Sequence, residues 1–115
     1  MPTGKRKYVA GIRMMKTPEP LKVLKILEHY GEIKGKITLH KLIYTLQTKH
    51  GFNLGYRFVN YSFGPYSKEL EDDLKLLQSL GLISEEQSGN EYVVRITPKG
   101  RQASVNLPPI TTKGV

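Results

Sequence analysis

The hydrophobic period of this chain changes within a single stretch, and that change narrows the folds open to it. In "LEDDLKLLQSLGLISEEQSGNEYVVRITPKGRQ", residues 70–102, Leu70, Leu74 and Leu77 recur at the spacing of one helix face, and Gly81 stops the helix. Past the polar tip Ser88, Gly89, Asn90 the pattern alternates, with Tyr92, Val94 and Ile96 set against Val93, Arg95 and Thr97. Two strands joined by such a tip make a hairpin. A helix running straight into a hairpin predicts an α+β domain.

Two more helices precede it. Thr17 is a candidate N-cap, with Pro18 in the first helical position and Glu19 beside the positive helix end. Val23, Ile26, Leu27 and Tyr30 then form a helical stripe, widened by Leu24, and Gly31 ends it. The connector "EIKGKI" suits a brief strand or turn. Thr38 reads as the cap of a second helix that buries Leu39, Leu42, Ile43 and Leu46 and turns Lys41, Thr45, Thr48 and Lys49 outward. An aromatic segment, "FNLGYRFVNYSFGP", reads as extended around Tyr56 to Tyr61, with Phe58 and Phe63 in the core. The glycine-proline in "FGPYS" reads as a turn into the third helix, which would start at Pro65 or Tyr66. Helix, short strand, helix, extended segment, helix, hairpin is the order of a winged helix-turn-helix, here expected over 17–103 with three helices and a β-hairpin wing. Residues 1–16 read as a flexible basic arm and 104–115 as a disordered tail.

At 115 residues one small core is all that can be buried. Eighteen lysines and arginines against ten acids leave a net charge of +8, which favours nucleic acid or another anionic surface as partner. In the arm, Lys5, Arg6, Lys7, Arg13 and Lys16 stand without an acid. Either they track phosphates, or the native start is Met14 or Met15. With no cysteine, disulfides, cysteine-ligated zinc and a thiol nucleophile are excluded. No apolar run approaches the roughly 20 residues of a membrane span, and a cytoplasmic, nucleoid- or plasmid-associated setting is expected.

Enzymatic signals are thin. His29, His40 and His50 match no helical ligand pair, and neighbouring Asp72 and Asp73 point about 100° apart on a helix. No phosphate-binding glycine loop is present. Neither catalysis, nor a cofactor, nor a metal is expected.

Residues 70–102 resemble the helix-to-wing segment of the PadR and MarR-like winged-helix DNA-binding families, including the closing Thr97, Pro98, Lys99, Gly100, Arg101. "LHKLIYTLQ", "YRF" and "FGPYSKEL" are similar to the YwgA-like and Panacea-like proteins, some of them antitoxin-associated. So small a basic winged helix also resembles the centromere-binding proteins of archaeal plasmid partition cassettes. These resemblances imply a DNA-binding protein, acting in transcription or in plasmid partition, or alternatively a protein-contact module facing a toxin or a partition ATPase.

The third helix carries Glu69, Glu71, Asp72 and Asp73 within a turn and a half, an odd choice beside an acidic polymer. With the leucines inward, its outer line is Lys68, Asp72, Lys75 and Ser79; Glu71 and Asp73 lie on the flanks, with Glu69 close to the inner face. Glu71 and Lys75 are expected to pair at i,i+4. Contact to double-stranded DNA would then come end-on, from Tyr66, Ser67 and Lys68, the acids keeping the helix middle off phosphates. Lys41 on the second helix and Lys34 and Lys36 in the connector would add backbone contacts. Arg57 is open between a phosphate contact and a structural ion pair. Arg95, with Asn90 at the tip, is what the wing offers between Glu85, Glu86 and Glu91, so a solvated or partner-facing wing is expected. One short helix reads few bases, so a homodimer on paired half-sites is expected.

Overall fold

The computed structural model describes residues 19–107. The arm, the expected cap Thr17 and residues 108–115 lie outside them. The chain runs α1 (Glu19–Tyr30), β1 (Glu32–Lys34), α2 (Lys36–Thr48), β2 (Val59–Tyr61), β3 (Gly64–Tyr66), α3 (Lys68–Ser79), β4 (Ile83–Ser88), β5 (Glu91–Ile96) and α4 (Pro98–Val105). The class is α+β, with four helices and two small antiparallel sheets.

In the larger sheet β5 is central, in the order β1-β5-β4. Ile33 lies opposite Val94, and Ile83 opposite Ile96, so apolar residues from all three strands meet the helices on one face. That face closes over Val23, Leu24, Leu27, Leu39, Ile43, Leu70, Leu74 and Leu77, all wholly buried. Burial of a leucine or isoleucine side chain is worth about 1.5–3 kcal/mol, so this one cluster supplies most of what holds so short a chain together. Among the described residues no helix is long and apolar enough to cross a membrane.

Several expectations change. Tyr30, the last residue of the α1 stripe, is half-exposed. The second helix starts at Lys36, before Thr38. Gly35, at φ 94°, turns directly from β1 into the helix while its N–H donates to the Tyr92 carbonyl at 2.7 Å. A residue with a Cβ adopts that φ only under strain. Leu42 and Leu46 are only partly buried, packed against the core's rim.

"VNYSFGPY" is a hairpin, not a single extended segment. Tyr61 and Gly64 face each other across the two-residue turn Ser62-Phe63, and β3 continues through Pro65 and Tyr66. Phe63 is therefore at a tip, 50% exposed, and outside the core, whereas Phe58 packs edge-on against Tyr44 at the core's margin.

The fold also has a fourth helix and continues past 103. Thr97 caps α4 by accepting from the Gly100 N–H at 3.0 Å, and Pro98 takes the first helical position, where its missing N–H costs nothing. Its Ser104 is fully buried, and the Ser104 carbonyl accepts from Lys25 Nζ of α1 at 3.1 Å. Gly100 has to be glycine: a Cβ there would lie 2.0 Å from the Leu82 carbonyl oxygen.

Candidate functional site

The four carboxylates of α3 define the site, because each is committed to a partner. Glu69 accepts from the Arg57 backbone N–H at 2.9 Å through Oε1 and from its guanidinium Nε and Nη2 at 3.1 and 2.9 Å through Oε2. Glu71 is buried, with Lys36 Nζ on Oε2 at 2.6 Å and His40 Nε2 on Oε1 at 3.1 Å. Asp72 pairs with Lys68 at 3.0 Å along the helix surface. Asp73 accepts from the Tyr56 hydroxyl at 2.6 Å. The expected Glu71–Lys75 pair does not form: Glu71 turns in toward α2, and the i,i+4 bridge is Lys68–Asp72.

Residues at 100° per step explain this division. Asp73 and Glu69 share the flank that meets Tyr56 and Arg57, Glu71 occupies the flank that meets α2, and only Asp72 belongs to the outer line.

The α2 flank is a three-residue relay. His40 is buried, and its Nδ1 accepts from the Ser67 backbone N–H at 3.1 Å, so the remaining ring proton sits on Nε2 and is donated to Glu71. Burial lowers the imidazole pKa, and the Glu71 bond only partly opposes it. Burial would likewise raise the Glu71 carboxyl, but Lys36 and His40 together outweigh it and leave it below its ordinary value. Burial acts to lower the Lys36 ammonium, but Glu71, with smaller help from Glu85 and Tyr66, leaves it raised, and it lies 5.1 Å from the centre of the Tyr92 ring. Tyr66 stacks on the His40 ring at 4.5 Å.

The relay redistributes the sequence-predicted contacts. Ser67 is 0% exposed; its hydroxyl accepts from the Leu70 N–H as the N-cap of α3, so it is closed to a ligand. Tyr66 belongs to β3, partly buried over His40, rather than to the helix start. Lys36 is held against Glu71. Arg57 is a structural ion pair whose guanidinium still reaches solvent. Arg95 is gripped by Glu32 at 2.8 Å and by Glu86. Lys34 lies 3.7 Å from Glu91, both exposed. Lys68 is exposed at the first turn of α3, and Lys41 is exposed on α2. Asn90 is exposed at the wing tip.

Sequence reasoning missed His40 and Glu71 as a pair. The one available signal was Glu71's place beside Leu70 in the helical turn, which brings a flank carboxylate within reach of whatever packs on that stripe. It missed the exposed β2–β3 hairpin too, where Tyr61 and Phe63 stack at 5.3 Å. No protein-family model, curated protein or solved structure matches this chain.

Proposed function

We propose that the chain is a winged helix-turn-helix protein that binds double-stranded DNA as a pair of copies, in transcription regulation or in plasmid partition. The observation that carries this reading is the pairing of three of α3's acids with side chains of this chain off the helix's outer line. Glu69, Glu71 and Asp73 are spent on Arg57, on Lys36 and His40, and on Tyr56, which leaves Lys68, Asp72, Lys75 and Ser79 as the outer line. That line carries two cations and one anion, so the helix can approach phosphates.

The order α1, β1, α2, α3, β4, β5, interrupted between α2 and α3 by the β2–β3 hairpin and with β1 as third strand of the larger sheet, suits α3 as recognition helix and β4–β5 as wing. Lys41 is placed to add a backbone contact from α2. Residues 19–107 hold 12 lysines and arginines against all ten acids, so six of the eight excess charges lie outside them, five in the arm. Phosphate attraction is therefore assigned mainly to Lys5, Arg6, Lys7, Arg13 and Lys16, with α3 supplying orientation. No catalytic step is part of the proposal.

A titration of random duplex in low salt tests the face. Lys68→Ala and Lys75→Ala should each weaken binding and shrink the salt slope by about 1, as loss of one phosphate contact does. Wild-type affinity in both variants would remove α3 from the interface.

A second reading, a protein-contact module facing a toxin or a partition ATPase, draws on Leu76 and Leu80. They are half-exposed on the α3 flank shared with Glu69 and Asp73. If Leu76→Lys abolishes capture of a partner protein and leaves duplex binding intact, that reading replaces the first.

A further inference from the structure

We propose that the outer edge of β2, with Val59, Tyr61 and Phe63 beside it, is the surface through which two copies of this chain pair. The inference rests on the dimer clause of the proposed function and names its surface. Among the described residues the β2–β3 sheet has two strands, and β3 is the one tied to α2 through Tyr66 on His40, so one edge of β2 has no strand partner among them. Pro65, which has no N–H, lies opposite Asn60. That pair is therefore the non-hydrogen-bonded one, and the Asn60 N–H and carbonyl point away from β3, to the open edge.

Unpartnered edges invite another strand, and proteins blunt them with lysine, proline or a bulge. Here β2 reads Val-Asn-Tyr, and all three residues are exposed, Val59 at 58%. Tyr61 and Phe63 stack beside it, and Ile37 of α2 is half-exposed. A small cleft lined by Ile37, Phe63, Pro65 and Tyr66, and by Lys36 and His40 that Glu71 holds, extends the apolar area.

Charge selects the occupant. Residues 58–67 contain no lysine, arginine, aspartate or glutamate, in a chain of net charge +8. Two molecules of that net charge repel overall, and this neutral strip is where they can touch with least of that cost. An acidic partner would instead gain from the cations, which this strip lacks. A strand edge is also self-complementary: a two-fold axis near Asn60 sets β2 antiparallel to its own copy, giving a four-stranded sheet in which Asn60 faces its own copy and each Val59 faces the other copy's Tyr61.

The size of the patch sets the strength. An aromatic side chain buries about 150–250 Å², and those here are already half covered, so two copies bury less than the ~1,200–2,000 Å² of stable complexes. Pairing is therefore weak and concentration-dependent in solution, and a duplex with two half-sites would complete it.

Sedimentation equilibrium over a wide concentration range, without DNA, tests the surface. The wild-type chain should pass from monomer to dimer as concentration rises. Val59→Lys, an exposed substitution that puts one lysine on each strand, diagonal neighbours on the same face across the axis, should weaken dimerisation at least roughly tenfold, since like charges brought together at an interface are unfavourable. Phe63→Ser should weaken it less, and circular dichroism checks that both variants stay folded. A wild-type chain monomeric throughout, or a Val59→Lys dimer as strong as the wild type's, overturns the proposal. A parallel titration of a short random duplex keeps the two readings apart. Dimer loss in Val59→Lys, when neither protein binds DNA, upholds this surface and sinks the DNA reading. Duplex binding lost with dimerisation intact overturns the surface, because the hairpin then touches DNA.

Discussion

The Ser67 backbone N–H and the His40 Nδ1 lie 3.1 Å apart, which ties the residue capping α3 to the second turn of α2. Because Nδ1 accepts, Nε2 must donate, and it does so to Glu71 one turn into the same helix. Two bonds through one buried ring thus fix both the start and the roll of α3 against α2. In the proposed helix-turn-helix reading, the relative angle of these two elements decides what reaches the groove.

Glu71→Ala removes the shared acceptor. It leaves a buried imidazole N–H without a partner and a lysine ammonium partly out of water. The loss should be about 2–3 kcal/mol, below the ~3–5 of a fully buried pair because Lys36 reaches solvent. Lys68→Ala removes an exposed, solvent-screened bridge and should barely move stability. Urea midpoints of the two variants check the contrast.

Acid should destabilise the chain in two stages. The His40 pKa is depressed in the fold, chiefly by burial, so on acidification the unfolded chain takes up a proton near its ordinary 6.5 while the folded chain does not. Stability therefore falls as pH drops through that region. Glu71 is depressed as well, so its contribution is present above its ordinary 4.5 and is lost as pH falls further. Urea midpoints between pH about 7 and about 4 should decline throughout. A midpoint that rises on acidification would contradict the assigned tautomer and partners.

Gly100→Ala should come close to preventing folding, because the new methyl overlaps the Leu82 carbonyl at 2.0 Å, where backbone cannot yield cheaply. Gly89→Ala is the control. At φ 58° with nothing within 4 Å of the added atom, it should cost only about 1 kcal/mol of backbone strain. Thermal melts of both variants separate close packing from turn strain.

Much of the framework was legible in the sequence because it is local. Leu70, Leu74 and Leu77 announce the buried face of α3 by spacing alone, and Tyr92 to Thr97 announce a strand by alternation. The relay was not legible. An acid beside a leucine reads as solvated until the helix facing it is known, and His40 had to be placed on Glu71 by tertiary packing. The fourth helix was hidden for another reason: with only Ala103 and Val105 apolar beyond Pro98, it shows almost no periodicity, and its capping threonine and proline read as a closing turn. Phe63 looked like core because phenylalanines usually are, yet its place at the tip of a two-residue turn exposes it. The relay makes Ser67 the buried cap of α3 and sets Tyr66 over the His40 ring, neither of which spacing alone reveals.

Asp72 is the one α3 carboxylate on the outer line, paired only with exposed Lys68. Asp72→Asn removes a negative charge and frees that lysine. Affinity for random duplex should rise by about 1 kcal/mol or less at low salt, with reduced sequence preference, since phosphate attraction carries no sequence information. Fluorescence anisotropy on random duplex checks it; unchanged affinity would mean that the outer line does not face DNA.

The salt dependence of duplex binding by the full chain tests the central claim most directly. A dimer that neutralises phosphates with its arm and with Lys41, Lys68 and Lys75 should give a log–log slope of roughly −4 to −8, about −0.9 for each phosphate engaged. A slope near zero, or no binding to any duplex at low salt, would contradict the account and leave the protein-contact reading in its place.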